Sequence, residues 1–197
     1  MISGILDLED GPTKTARLAA WIQSLSGEDD QPPVLVGGGA VELVTGGAYT
    51  TGDLDFVGSI SPAVSRSLVA AGFERHGRHW VHELAQVFIE FPSDRLGTDE
   101  RADWFDVAGE RILMISLEDL LVDRLGAWQY WQSSVDAVNA WMVWRTARSA
   151  IDLDRLERRV QQAGWERAWV GLRSFGERWQ DGEPSREEME SWAMTWP

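Results

Sequence analysis

The spacing of hydrophobic and polar positions changes along the chain, and each spacing predicts a different element. From Thr13 to Leu25 apolar residues recur every three to four positions, which is typical of a helix. The apolar run at 34–36 and the alternation of acidic and apolar residues at 53–57 are typical of strands. The remaining predictions for this half are a helix over 62–71, strands within 73–91, and one or two edge strands over 105–115.

From residue 116 onward the pattern is helical. Ser116, with an acid three residues later, resembles a helix start, and this helix is predicted to run to about Trp131. Further helices are predicted over 134–148, 153–163, 166–179 and 185–194. The predicted fold class is therefore α+β: a mixed-sheet half over 1–115, followed by a C-terminal helical region over 116–197 that packs on it.

The charge of the chain narrows the class of partner. Its 197 residues carry 18 basic and 32 acidic side chains, a net charge of -14, and Lys14 is the only lysine. This balance argues against broad binding along a phosphate backbone, because that affinity depends on many Lys and Arg contacts. It leaves room for a small basic pocket, and it suits a protein that gathers carboxylates around metal ions.

Three further features of composition limit the chemistry and the location. The chain has no cysteine, which excludes disulfides, thiolate metal sites and a Cys nucleophile. Its three histidines (His76, His79 and His82) lie in one short stretch, and the odd spacing of the last two disfavours a shared metal site. No apolar run approaches a membrane span, and the acidic N-terminus lacks the basic region of a signal peptide. We expect a soluble, cytoplasmic protein with no membrane partner.

Most of the twelve tryptophans lie in the helical half, and three pairs have helical spacing: Trp128 with Trp131, Trp141 with Trp144, and Trp165 with Trp169. We interpret these pairs as core or helix–helix anchors, with a nucleobase-stacking surface as the alternative.

The segment 34–57, VLVGGGAVELVTGGAYTTGDLDFV, carries the candidate chemistry. An apolar strand leads into Gly37, Gly38 and Gly39, and the short helix predicted after them, over 40–44, would offer N–H groups to an anion. A loop then reaches Asp53 and Asp55, which share one face of a strand. Two adjacent carboxylates repel each other unless a cation lies between them, so the pair favours a metal bound beside a phosphate cradle.

This segment resembles the nucleotidyltransferase motif of the DNA polymerase β superfamily, in which a Gly-Gly element precedes Asp-x-Asp. It is close to the form seen in the small toxin-like nucleotidyltransferases of abortive-infection and toxin–antitoxin systems, and Ala40 and Thr51 match positions of that form. The segment ISLEDLLVDRLGAW, over 115–128, resembles the helix that follows the core in these proteins. The resemblance covers about residues 30 to 130 and implies a nucleotidyltransferase-like core.

The resemblance also implies a site and a reaction. Asp53, Asp55 and Glu90 would be the catalytic, metal-binding acids, with Mg²⁺ as one or two ions. The three glycines, Thr51 and Arg124 would bind the nucleotide. Glu90 would hold a second ion or take the proton of the attacking hydroxyl. A nucleoside monophosphate would pass from an NTP to a tRNA or a protein, in a toxin that has an antitoxin partner.

Two positions depart from the family pattern, one of them Arg124, which stands where relatives often carry lysine, and several alternatives stay open. Tyr49 stands where many relatives carry arginine, and Lys14, Arg66, Arg95 and Arg124 are the candidates to replace that charge at the triphosphate. The strand acids could instead be solvated, and the glycines only a tight turn. Asp119 and Asp123 fit a helix surface or a cleft wall, and we interpret Asp152, Asp154, Arg158 and Arg159 as a solvated helix face. The functional alternatives are an antibiotic-type small-molecule nucleotidyltransferase and a catalytically silent nucleotide-binding or interaction module.

Overall fold

The computed structural model describes residues 2–27, 30–179 and 182–195. The chain divides into two compact units, Met1–Ser116 and Leu117–Pro197, one residue from the boundary that the sequence predicts. The first unit contains a mixed sheet and the second is helical, so the predicted α+β class is confirmed. Within the described ranges, no helix has the length and apolar character needed to cross a membrane.

The first unit is built on one seven-stranded sheet with the order β3-β4-β5-β2-β1-β7-β6. Strand β2 runs parallel to β5 and β1 runs parallel to β7, while the other neighbours are antiparallel. The strands are β1 (Val34–Val36), β2 (Asp53–Val57), β3 (Glu74–His76), β4 (His79–His82), β5 (Val87–Ser93), β6 (Ala102–Val107) and β7 (Glu110–Ile115).

The prediction of edge strands over 105–115 is wrong for β7. Of these two strands only β6 lies at a sheet edge, because β7 is placed between β1 and β6 and pairs Met114 with Leu35. The run Ile112–Ile115 is buried throughout, which is the pattern of a strand covered on both faces. This continuous apolar run therefore marks an interior strand.

The helices of the first unit differ in how they begin. Ser61 caps one of them by accepting a hydrogen bond from the Val64 N–H at 3.2 Å, and Pro62 takes the first helical position. The helix predicted from Ala40 begins three residues earlier, at Gly37, so the glycines form its first turn. The helices are α1 (Ile2–Leu6), α2 (Pro12–Ser24), α3 (Gly37–Val44) and α4 (Pro62–Ala70), and a 3₁₀ turn covers Glu83–Ala85.

Alternation along β2 decides which side chains enter the core. Leu54 and Phe56 are buried, and their register partners in β5 and β1, Ile89 and Leu35, are buried with them. Burying a side chain of this size stabilises the fold by roughly 1.5–3 kcal/mol. This burial fixes the register of β2, and so fixes which face its acidic residues take.

The second unit is helical, and its helices are α5 (Leu117–Trp131), α6 (Ser134–Ala147), α7 (Leu153–Ala163), α8 (Glu166–Arg178) and α9 (Arg186–Thr195). Ser133 and Asp152 cap α6 and α7, and Gly164 ends α7 with a φ of 79°. Paired tryptophans anchor this unit: the rings of Trp144 and Trp169 lie 5.1 Å apart and both are buried.

Two features of this unit correct the sequence interpretation. Trp131 is 75% exposed and therefore is not a core anchor. Asp119, expected on a helix surface or in a cleft, is buried with both oxygens bound to arginines of α7: Arg155, and Arg159 at 2.7 Å. Arg159 therefore belongs to an interhelical ion pair and not to a solvated face.

Candidate active site

The three predicted acids lie on one face of two adjacent parallel strands. Asp55 in β2 is the register partner of Glu90 in β5, and Asp53 precedes Asp55 by two residues. Residues two apart share a face, and register partners in neighbouring strands point to the same side. The sheet thus brings Glu90 next to Asp55, although the two are 35 positions apart in the sequence.

The glycine turn lies directly against this face. Gly37 has a φ of 63°, a left-handed conformation that favours glycine. A β-carbon at this position would lie 3.1 Å from the Cγ of Asp55 and 3.2 Å from its Cβ. The first turn of α3, whose N–H groups have no partner within the helix, therefore begins beside Asp55.

Thr51 joins the glycine turn to the first acid. Its Oγ1 accepts a hydrogen bond from the Asp53 N–H at 3.1 Å, which fixes the backbone where β2 begins. A β-carbon on Gly38 would lie 3.3 Å from this Oγ1 and 3.4 Å from the hydroxyl of Tyr49. The hydroxyl of Tyr49 is thus a neighbour of the glycine turn.

Glu42, a residue that the sequence interpretation missed, links α3 to the loop that precedes β2. It is fully buried in α3, and its Oε2 accepts hydrogen bonds from the Thr15 hydroxyl at 3.0 Å and the Thr51 N–H at 3.4 Å. Burial raises the pKa of Glu42, an effect that the two hydrogen bonds oppose. The signal that could have revealed it is a lone acid within the apolar run AVELV.

Glu90 has basic neighbours that the sequence did not predict. The Nε of Arg78 lies 2.6 Å from its Oε1, and the Nδ1 of His79 lies 3.5 Å from its Oε2. His79 in β4 is also the register partner of Glu90, whereas His82 Nδ1 accepts the Ala85 N–H. The basic hairpin β3–β4 therefore borders the acidic face.

The basic residues proposed from the sequence lie in other surroundings. Lys14 pairs with Asp10 at 2.9 Å, and Arg66 is exposed on α4. Arg95 lies beyond the end of β5, beside a cavity of about 430 Å³ that Val57 also lines, at the opposite end of β2 from Asp53. In the helical unit Arg124 donates to Asp136 at 2.6 Å and to Asp123, and its nucleotide-binding role stays a prediction.

The donor chemistry of the face fits Mg²⁺. Mg²⁺ prefers oxygen ligands and is commonly held by one or two carboxylates together with substrate phosphates, and this face offers three carboxylates. Across the part of the chain that the structure describes, no three His, Asp or Glu side chains form a ready-made metal-binding group. Binding would therefore require these side chains to adjust, and Glu90 would have to exchange its contact with Arg78.

Comparison with known proteins adds no relative. No protein-family profile, no curated protein sequence and no solved structure matches the chain.

Proposed function

We propose that this protein is a Mg²⁺-dependent nucleotidyltransferase of the DNA polymerase β type. It would transfer a nucleoside monophosphate from an NTP to a hydroxyl group of an RNA, such as a tRNA, or of a protein. The observation that carries the proposal is the placement of Asp53, Asp55 and Glu90 on one sheet face, with Gly37 against Asp55.

Each part of this face has a role in the proposed reaction. Asp53, Asp55 and Glu90 would hold the metal, and the N–H groups that open α3 would bind phosphate oxygens. Mg²⁺, when bound, would neutralise the charge of the phosphates and the charge that develops on the attacking and leaving oxygens. The acceptor hydroxyl would give its proton to solvent water, because the metal occupies Glu90, while its oxygen bonds to the α-phosphorus. The bond from that phosphorus to the bridging oxygen breaks, and pyrophosphate leaves with the electron pair.

The proposal is tested by incubating the purified protein with each α-³²P-labelled NTP, Mg²⁺ and a cell extract. RNA, protein and small-molecule fractions are then separated and counted. We expect label in RNA or protein with the wild-type chain, and none with the double variant Asp53→Asn, Asp55→Asn. Asp103→Asn with Asp106→Asn is the matched control, because it removes two exposed acids from β6 in the same unit and should keep full transfer.

The fraction that becomes labelled separates the alternatives. Label in the small-molecule fraction alone would support the antibiotic-type activity instead. An unlabelled extract with all four nucleotides, or transfer that persists in the double variant, would overturn the proposal.

A further inference from the structure

The tip of the β3–β4 hairpin is basic in a strongly acidic chain. Arg75, His76, Arg78 and His79 surround Gly77, which has a φ of 67° and opens a two-residue turn between the register partners His76 and His79. Glycine in the first position of such a turn is typical of tight hairpins. The hairpin therefore holds its basic side chains in a defined place.

The same hairpin is fixed to β5 beside Glu90. His79 pairs with Glu90 in the strand register, and the Phe91 N–H donates to the Arg78 carbonyl at 3.5 Å. Arg78 is thus held to β5 by a backbone hydrogen bond as well as by its side-chain contact with the Glu90 carboxylate. Asp55 is the partner of Glu90 on the other side, so two strands, β5 and β2, lie between the hairpin of Arg78 and β1, which leads into the glycine turn.

The contact between Arg78 and Glu90 leaves most of the arginine available. The Arg78 side chain is 65% exposed while that of Glu90 is 22% exposed, and the contact is made through Nε. A guanidinium group carries five N–H donors in a planar fork that matches phosphate oxygens. Arg78 can therefore exchange a carboxylate for a phosphate, or bind both in turn.

We propose that Arg78 is the arginine that binds the triphosphate, and that without metal it serves as a substitute cation at Glu90. The inference rests on the proposed function. A metal ion and Arg78 compete for Glu90, so metal binding releases Arg78 for the nucleotide phosphates. Lys14 is less suited to this role because its side chain is only 8% exposed, and Arg95 because it lies at the opposite end of β2 from Asp53.

This competition predicts opposite effects on two ligands in one variant. In Arg78→Gln, Mn²⁺ without nucleotide should bind about threefold tighter, because Glu90 loses its competing cation. Inorganic tripolyphosphate with Mg²⁺ should bind about tenfold more weakly, because a charge-assisted hydrogen bond is lost. Free Mn²⁺ is measured by electron paramagnetic resonance and tripolyphosphate by calorimetry, on the full chain.

Two further variants separate charge from hairpin structure. Arg75→Gln removes the same charge from the same hairpin, but Arg75 bonds to the Gly77 carbonyl at 2.9 Å and stacks over Trp80, so both constants should stay at wild-type values. Arg78→Lys keeps the charge and loses the fork, and should restore part of the tripolyphosphate affinity. Circular dichroism checks that each variant is folded.

The outcomes distinguish this inference from the proposed function. Wild-type protein that binds both probes, with Arg78→Gln leaving both constants unchanged or weakening both, would overturn the inference alone. Wild-type protein that binds neither Mn²⁺ nor tripolyphosphate would overturn the proposed function and the inference together.

Discussion

Gly37 packs so closely against Asp55 that there is no room for a side chain at position 37. A β-carbon there would lie 3.1 Å from the Cγ of Asp55. The glycine has two tasks, because its φ of 63° also favours a residue without a β-carbon. Its conformation turns the chain from β1 into α3, and its small size lets the turn approach the acid.

Replacing Gly37 by alanine should therefore damage both stability and metal binding. We expect Gly37→Ala to lower the free energy of unfolding by about 2–4 kcal/mol, from the left-handed backbone and the clash together. Mn²⁺ binding should weaken at least tenfold, because Asp55 must move. Urea unfolding and Mn²⁺ titration measure the two effects.

Gly46 provides the control for the backbone term. It has a φ of 61°, and nothing lies within 4 Å of the place where its β-carbon would be. Gly46→Ala should cost about 1 kcal/mol and leave Mn²⁺ binding unchanged. Equal losses in the two variants would show that the contact with Asp55 has no effect.

The acids of β2 could be predicted from the sequence, whereas the basic border of the site could not. Asp53 and Asp55 share a face because the period of a strand is two residues, and this needs no knowledge of neighbouring strands. The contact of Arg78 with Glu90 depends on the register between β4 and β5, which is set by tertiary packing across a 3₁₀ turn. Local spacing does not encode that register.

Asp119 shows the same limit in the helical unit. Its spacing from Asp123 fits an exposed helix face. A charged side chain is seldom fully buried unless an oppositely charged group pairs with it. The partners are Arg155 and Arg159, which lie more than 30 positions away on α7. Sequence alone predicted both helices but not the ion pairs between them.

Glu42 should make the stability of the protein depend on pH. Burial raises its pKa, so the folded protein keeps the proton in a range where the unfolded chain has released it. The contribution of this group to folding stability is greatest at low pH. It is lost as the pH rises from 4.5, the ordinary pKa of glutamate in the unfolded chain, through the raised pKa of the folded state. Glu42→Gln resembles the protonated form, so its stability should not fall in this way as the pH rises.

The measurement is the difference in unfolding free energy between Glu42→Gln and the wild type, by urea at several values from pH 5 to 8. We expect this difference to shift in favour of the variant as the pH rises. Thr15→Val removes a hydrogen bond that stabilises the carboxylate. It should therefore raise the pKa of Glu42 further and extend the loss of stability to higher pH. A constant difference, or one that favours the variant most in acid, would contradict this account.

Loss of Asp119 should destabilise the protein strongly. Asp119→Ala removes the carboxylate that Arg155 and Arg159 share, while Arg155 keeps its contact with Glu118 at 3.2 Å. Removing one partner of a buried ion pair costs roughly 3–5 kcal/mol. Glu157→Gln breaks the exposed pair with Arg173 and should stay within about 0.5 kcal/mol of wild type. Chemical unfolding followed by circular dichroism compares the two, and equal effects would be inconsistent with a structural role for the network.

Thr51 should matter through the backbone of Asp53 more than through its own contact with a ligand. In Thr51→Val the shape is kept, but the Asp53 N–H loses its acceptor and the start of β2 is released. We expect a loss of about 1 kcal/mol in stability and a severalfold weaker affinity for Mn²⁺, because Asp53 is less well positioned. The adjacent Thr50 is exposed, and Thr50→Val should change neither quantity. If Thr51→Val weakened tripolyphosphate binding while Mn²⁺ affinity and stability stayed at wild-type values, Thr51 would instead contact the nucleotide directly.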